Sequence, residues 1–354
     1  MKLINIPIYG AIAIMFFNVA CSGPRTVSLN SMRPAEITLP PYTKTLLILD
    51  RTKSDKSVVS IVEGILTGEL PGEEKTGTQE LLSALSNQLG YSDRFHVLTA
   101  EERLDGNSVT SAFPEQLSWE VINKLSEKYQ ADAVVSLELF DTDFIVTRGR
   151  KNIKEKVGDQ EVQVLKYYAQ GIGNITIGIR LYDGRGQTIV DQQLFTDSHT
   201  WEAYGNSIPE ALIQLTSKGN ANRYLSQQVG TDYAYKISPM PIKIRRSFRG
   251  KSKRSPELEQ GTRYADVAQW QEALEVWESG LDVARNKEAG YLAHNIAIAY
   301  EVLGDFDNAL YWAETAYVRY GNKDSRTYVN QIKRRLSSEE LAQQQLESGN
   351  ERKY

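Results

Sequence analysis

Few residues of this 354-residue chain combine the type and the spacing that chemistry needs. Asp50 ends the apolar run Thr45-Leu46-Leu47-Ile48-Leu49, and Asp141 and Asp143 stand along or just after a second run that begins at Ala133. If the two runs are neighbouring strands, these carboxylates could converge as a metal site or as an acid/base pair for hydrolysis. An Asp at a strand end is also a common turn former, and that reading stands beside the first. His96, His199 and His294 lie in separate elements without ligand spacing. His-Glu-x-x-His, a Gly-x-Ser-x-Gly elbow and a phosphate loop are all missing. Gly171-Ile172-Gly173 precedes a strand rather than opening a helix, so it is no dinucleotide fingerprint. No catalytic residue, metal or cofactor is assigned on these grounds.

The one residue whose position suggests covalent chemistry is Cys21, the single cysteine. It follows Lys2, an apolar stretch from Ile4 to Phe17, and the small residues Val19-Ala20. These residues resemble a bacterial lipoprotein signal with its lipobox, in which the cysteine is acylated and becomes the first residue of the mature protein. Asn18 departs from the aliphatic residue usual there. An ordinary secretory leader or a retained anchor are the alternatives. The apolar stretch is about 14 residues and interrupted by Pro7, whereas a spanning helix needs about 20. Two or three acyl chains hold a protein at a membrane, as one does not. Ser22-Gly23-Pro24-Arg25 follows the cysteine without Asp. By similarity to lipoprotein sorting signals, this implies lipid anchoring at the outer membrane, facing the periplasm.

Composition is that of a folded polypeptide, 41% hydrophobic and 24% charged. Without the leader, roughly 330 residues remain, enough for two domains. A single cysteine allows no intrachain disulfide, so stability rests on burial. The net charge of −4 is unevenly spread. Arg148 to Lys156 carries five basic residues against Glu155. Lys243 to Arg254 carries Lys243, Arg245, Arg246, Arg249, Lys251, Lys253 and Arg254 with no acid. Such spots on an acidic body could meet lipid headgroups, anionic glycan or an acidic partner; otherwise they are a solvated hairpin tip and a solvated linker. Nucleic acid is a poor partner for a protein of the cell envelope.

The elements that must position these residues follow from periodicity. Residues 22–42, with Pro24, Pro34, Pro40 and Pro41, read as an extended tether. Thr45 to Asp50 is a strand buried on both faces. Helical patterns cover 57–70, 78–89 and 117–130, with strands at 94–98 and from 133 towards 147. Ile175, Ile177, Ile179 and Leu181 share one face of a strand, Asp183-Gly184-Arg185-Gly186 turns, and 188–195 returns antiparallel, with 162–170 beside them. Ser207 with Glu210 marks a capping box, opening a helix whose stripe runs from Ile208 to Leu225. The expected class is α+β: an N-terminal mixed sheet with packed helices, then a C-terminal helical domain. In element order the first domain is similar to the N-terminal domain of TolB and to that of curli-secretion lipoproteins and of lipoprotein activators of penicillin-binding proteins. The expected boundaries are 1–20 leader, 21–42 tether, 43–235 α/β domain, 236–254 basic connecting strand or linker, 255–336 repeats with a capping helix, and 337–354 polar tail.

Tyr264, Trp270, Ala273 and Leu274 recur 36 residues later as Tyr300, Phe306, Ala309 and Leu310; Gly261 recurs as Ala297 and Gly280 as Ala316. These residues resemble the tetratricopeptide repeat, in which small residues let two helices cross and an aromatic fills the space between pairs. Ala268 replaces the turn glycine in the first copy, and the two extra residues of the spacing fall in a loop near 286–288. In that family the inner faces of the first helices bind peptides. The resemblance implies a partner site at Leu258, Thr262, Ala265 and Asp266 in the first copy. In the second copy the matching positions are Tyr291, His294, Ile298, Glu301 and Val302. Filling of this groove by the chain itself is the alternative. Together these readings predict a lipid-anchored, non-enzymatic adapter for another envelope protein, with a cell-wall glycan module or a metal-dependent hydrolase as rivals.

Overall fold

The structure, a computed structural model, describes residues 24–53, 73–106, 113–158 and 160–348. Cys21, the leader and the helical pattern at 57–70 lie outside the described residues. The first elements are β1 (Arg25–Arg33), β2 (Thr45–Lys53), α1 (Glu73–Leu89), β3 (His96–Asp105), α2 (Trp119–Tyr129), β4 (Ala133–Val157), β5 (Gln160–Asp183) and β6 (Thr188–Gly205). There follow α3 (Ile208–Gln214), α4 (Lys218–Ile237), β7 (Met240–Phe248), α5 (Pro256–Asp266), α6 (Trp270–Leu281), α7 (Asn286–Leu303), α8 (Phe306–Val318) and α9 (Lys323–Glu347). The chain forms two units, Asn30–Ile242 with the residues from Arg335 onward, and Lys243–Arg334 with the residues up to Leu29. The α+β class is as expected, a mixed sheet with helices followed by an all-helical region.

The first unit is built on a five-stranded sheet in the order β3-β2-β4-β5-β6. β2 is parallel to both β3 and β4, and β4, β5 and β6 run antiparallel. Leu46 and Ile48 of β2, Val135 and Leu137 of β4, and Ile175, Ile177, Ile179 and Leu181 of β5 form one core with Leu81, Leu85 and Leu89 of α1 and Leu225, Val229 and Tyr233 of α4. Leu47, Leu49, Val134 and Tyr182 pack with Ile122 and Leu125 of α2 on the other face. Each fully buried Leu or Ile contributes about 1.5–3 kcal/mol, which is why β2 is apolar at every position from Leu46 to Leu49.

Several sequence expectations need correction here. The tether is not free: β1 pairs with β7 in a two-stranded sheet, and Ala35 and Leu39 are buried. The polar tail is the last part of α9, with Ala342 and Gln345 buried; Gln345 bonds the backbone of Ala35 on both its N–H and its C=O, at 2.8 and 3.1 Å. Residues 162–170 are no separate strand but the first half of β5, and β4 runs on to Val157 to pair with them. Ser207 does cap a helix, accepting from Glu210 N–H at 3.4 Å, but that helix stops at Gln214 and Ser217 caps the next. Glu210 reaches back to Asn206 N–H, one residue before the position a capping box requires.

In the second unit successive helices from α5 to α8 pack on one another. Burial recurs with the 36-residue spacing: Ala273 and Ala309 are buried, Gly280 and Ala316 are buried, and Tyr264 and Tyr300 are half-buried. Gly261 lies against the indole of the buried Trp277, where a methyl group would have no room. α7 starts at Asn286, so residues 286–288 form its first turn rather than a loop. Among the described residues no helix is long and apolar enough to cross a membrane.

Candidate functional site

α7 sits at the centre of the second unit and is buried along almost its whole length. Most of its residues are apolar, yet Glu288, His294, Asn295 and Glu301 are buried too. A buried polar group costs stability unless bonded, so each must have a partner. All four meet one stretch of the chain, residues 246–252.

Arg246 and Glu301 form a bidentate ion pair, Nε to Oε2 at 2.8 Å and Nη2 to Oε1 at 2.9 Å, with side chains 8% and 0% exposed. Tyr328 donates to the same carboxylate at 2.6 Å, and burial and that carboxylate raise its phenol well above the ordinary value. Asn295 brackets Arg249, accepting from its N–H and donating to its C=O, both at 2.9 Å. His294 Nε2 lies 3.1 Å from Ser247 C=O, which can only accept, so Nε2 carries the proton and Nδ1 accepts from Ser325 Oγ at 2.8 Å. Burial lowers the pKa of this histidine and favours the neutral ring. Phe248 stands edge-on to Trp270 and Trp277, with ring centroids 5.9 and 5.8 Å away. Arg249 lies over Tyr291 at 5.1 Å, and Ser252 donates to Glu288 at 3.3 Å.

The end partners, Arg246 with Glu301 and Ser252 with Glu288, run in opposite order along the two elements, so the segment lies antiparallel to α7. From Glu288 to Glu301 a helix rises about 20 Å. The six steps from Arg246 to Ser252 cover about 20 Å of extended chain. The lengths match, which is why one stretch can reach all four buried polar residues of the helix, although Glu288 is bonded through Oε1 alone. The arrangement is an extended segment held in cis, with a bidentate anchor at one position, a backbone clamp three residues on, and aromatic rings around the residue between.

The α7 residues expected to face a partner are covered by the chain's own residues 246–252. Tyr291, His294 and Glu301 face the segment, Leu258 and Ile298 are wholly buried, and Val302 is half-buried. Thr262 bonds the carbonyl of Leu258 at 2.7 Å, Ala265 is buried, and Asp266 pairs with Arg25 at 3.5 Å. The basic run is not one patch. Arg246 is buried in its ion pair and Arg249 rests on Tyr291. Lys251 is half-buried, which leaves Lys243, Arg245, Lys253 and Arg254 exposed. Arg246, expected as one of a basic patch, is instead the partner of Glu301; Asn295 carries no expectation from the sequence, and a lone amide within Leu292–Ala299 is its available signal.

The carboxylates of the first unit do not converge. Asp50 follows Leu46 and Ile48 onto the face covered by α1 and α4 and is held by Arg103 Nε at 2.5 Å. Thr142 faces α4 through Asn222 at 3.1 Å, so its neighbours Asp141 and Asp143 point to the opposite face, where both are exposed. No cluster of three metal-ligating side chains occurs among the described residues. His96 and His199 are exposed, the latter against Trp201 and Tyr224. A different charged group is buried there. Glu138 accepts from Arg51 at 3.2 Å, from Arg180, and from Tyr182 at 2.6 Å. The two guanidinium groups also donate to Glu115 C=O at 2.5 Å and Pro114 C=O at 2.8 Å. Burial and the bond to Glu138 push the Tyr182 phenol up to about 12. With its members bonded to one another and to the 114–115 backbone, this cluster ties a loop to the sheet.

The chain is similar in structure to a protein from Helicobacter pylori described as a neuraminyllactose-binding hemagglutinin homolog, at 13% identity and a TM-score of 0.26, covering 56% of this chain and 82% of that one. For a PelC dodecamer from Paraburkholderia phytofirmans the values are 10% and 0.21, covering 60% and 98%. For the hypothetical protein CT253 from Chlamydia trachomatis they are 13% and 0.23, covering 54% and 96%. No curated protein matches the chain. A domain of unknown function, DUF6340, matches residues 259–337. A second domain of unknown function, DUF8603, matches residues 43–248, more than half of the sequence, and the chain belongs to that family.

Proposed function

We propose that this chain is a lipid-anchored, non-enzymatic interaction protein of the bacterial cell envelope. In this reading Cys21 carries the lipid at the outer membrane, facing the periplasm, and the tetratricopeptide-type unit recognises an extended segment of another envelope protein. The observation that carries the recognition step is the inner face of α7. With Trp270 and Trp277 of α6 it holds residues 246–252 through an ion pair, a backbone clamp and an aromatic pocket, the means by which extended peptides are held. The resident segment defines the chemistry of the occupant: an arginine, a large aromatic two residues later, and a backbone pair at the next. The partner's segment exchanges with this one, at Tyr291 and Val302 where the groove meets solvent.

The test uses the anchored protein in cells. A photo-crosslinking residue at position 291 or 302 should yield an adduct with another envelope protein, while one at exposed Lys253 should not. Adducts confined to the chain itself would remove the partner site. Cys21→Ser should release the protein from the membrane fraction, and mass spectrometry of the native N-terminus should show acylated cysteine. An unmodified cysteine would remove the anchor and leave the groove to be judged separately.

A further inference from the structure

The hairpin of β4 and β5 extends past the rest of the sheet. β2 pairs with β4 only over Ala133–Leu137, and β6 pairs with β5 only from Tyr167 onward. Residues 151–157 and 160–166 thus form a two-stranded arm. Its two faces differ in how their charges are used.

Phe144 lies over Gly171 and beside Trp201, on the face that α4 covers. Alternation along β4 then places Val146, Arg148, Arg150, Asn152, Lys154 and Lys156 on that same face, opposite Gly171, Ala169, Tyr167, Leu165, Gln163 and Glu161 of β5. Arg148, Arg150, Lys154 and Lys156 are exposed. Lys154 meets Glu161 at 3.4 Å, while Arg148, Arg150 and Lys156 have no ion pair among the described residues. Val146 and Leu165 lie among them, 45% and 54% exposed. On the opposite face the cations are matched: Lys151 pairs with Glu202 at 3.2 Å and Lys166 with Glu155 at 3.3 Å.

We propose that the Val146–Lys156 face of this arm docks on an anionic phospholipid surface. Residues two apart on a strand are about 7 Å apart, so Arg148 to Lys156 forms a row about 27 Å long. Arg148 and Arg150 stand where β6 still joins the sheet, and Lys154 and Lys156 on the free ribbon; all four are exposed, so the row meets a surface of phosphates along its length. Val146 and Leu165 supply the shallow apolar contact of an interfacial element. Cations near an anionic surface each strengthen binding by roughly 5-fold. The opposite face, with its charges cancelled, has no such attraction.

The experiment takes the chain from Ser22, which keeps every described residue and lacks the anchor, so it succeeds or fails independently of Cys21. Co-sedimentation is measured with phosphatidylcholine vesicles, with and without phosphatidylglycerol. Binding is expected only with phosphatidylglycerol, weakening as salt rises. Replacing Arg148, Arg150 and Lys156 by Gln should reduce it about 100-fold, with circular dichroism unchanged because none of the three has a partner to lose. Lys151→Gln with Lys166→Gln should leave it within about 2-fold. No sedimentation with phosphatidylglycerol, or equal loss in both sets of variants, would overturn the proposal. Tighter retention on immobilised polyglutamate than on vesicles would overturn it in favour of an acidic protein partner.

Discussion

Asn295 holds both backbone groups of Arg249, its Oδ1 accepting the N–H and its Nδ2 donating to the C=O, each at 2.9 Å. The amide is wholly buried, 46 residues away along the sequence, and only a side-chain carboxamide offers such an acceptor and donor side by side. Asn295→Ala removes two hydrogen bonds and strands two backbone groups, at a cost of about 2–4 kcal/mol. Asn295→Asp is nearly the same shape but sets a carboxylate oxygen against the Arg249 carbonyl, and should cost at least as much. Both variants should expose the bonds after Arg249 and Lys251 to trypsin; uncut protein with unchanged urea unfolding would show that the clamp holds nothing.

Glu138 faces two guanidinium groups in the interior of the sheet unit. Removing one partner of a buried ion pair is far more damaging than replacing the whole group, because a charge is left behind. Glu138→Ala leaves two. It should destabilise the sheet unit by about 3–5 kcal/mol and free the 113–117 loop, read by urea unfolding and by hydrogen exchange in that loop. Arg103→Gln, where the arginine is 33% exposed and the glutamine can still donate to Asp50, should cost less than Glu138→Ala.

His294 makes the helical unit sensitive to acid. The groups facing it are Ser325 and Tyr328 from α9, Ser247 from β7, and Asp324 nearby. Burial depresses its folded pKa below the ordinary value of 6.5, only partly offset by Ser247 and Asp324. Between the depressed and the ordinary value the unfolded chain binds more protons, so stability rises with pH there. Its contribution is full above 6.5 and is lost as pH falls towards the folded value, by at most about 1.4 kcal/mol per pH unit. His294→Gln, which can still donate to Ser247, should remove that slope. Unfolding curves between pH 7.5 and 5 that keep a constant gap between the two proteins would rule the effect out.

How much of this was legible depends on whether a residue's reason is local. The β2 strand announces itself, because Leu46 to Leu49 are apolar on both faces of a buried strand. The 36-residue spacing marked the helix pairs because burial repeats with it. Arg246 looked like a solvated charge since its partner Glu301 is 55 residues away. Glu138 hid inside an apolar run for the same reason. The outer half of the hairpin shows weak alternation because neither of its faces meets a core, so β4 was cut short. Residues 24–42 read as a tether because four prolines interrupt the apolar side chains, Leu29, Ala35, Ile37 and Leu39, that pin them down.

Ala268 and Gly304 occupy equivalent positions 36 residues apart, and both adopt left-handed backbone, with φ of +61° and +86°. Each follows the first helix of its pair and turns the chain into the second. A residue with a Cβ costs roughly 1–2 kcal/mol in this conformation, and glycine does not. Ala268 is exposed, so no packing is lost when its methyl group is removed. Ala268→Gly should therefore raise stability by about 1 kcal/mol, although glycine elsewhere in a helix pair lowers it. Gly304→Ala, with open space around the added carbon, should lower stability by a similar amount through backbone strain alone. Opposite signs for the two changes in urea unfolding are the diagnostic result. A loss at both positions would mean that the turn of the first pair relaxes away from positive φ in solution.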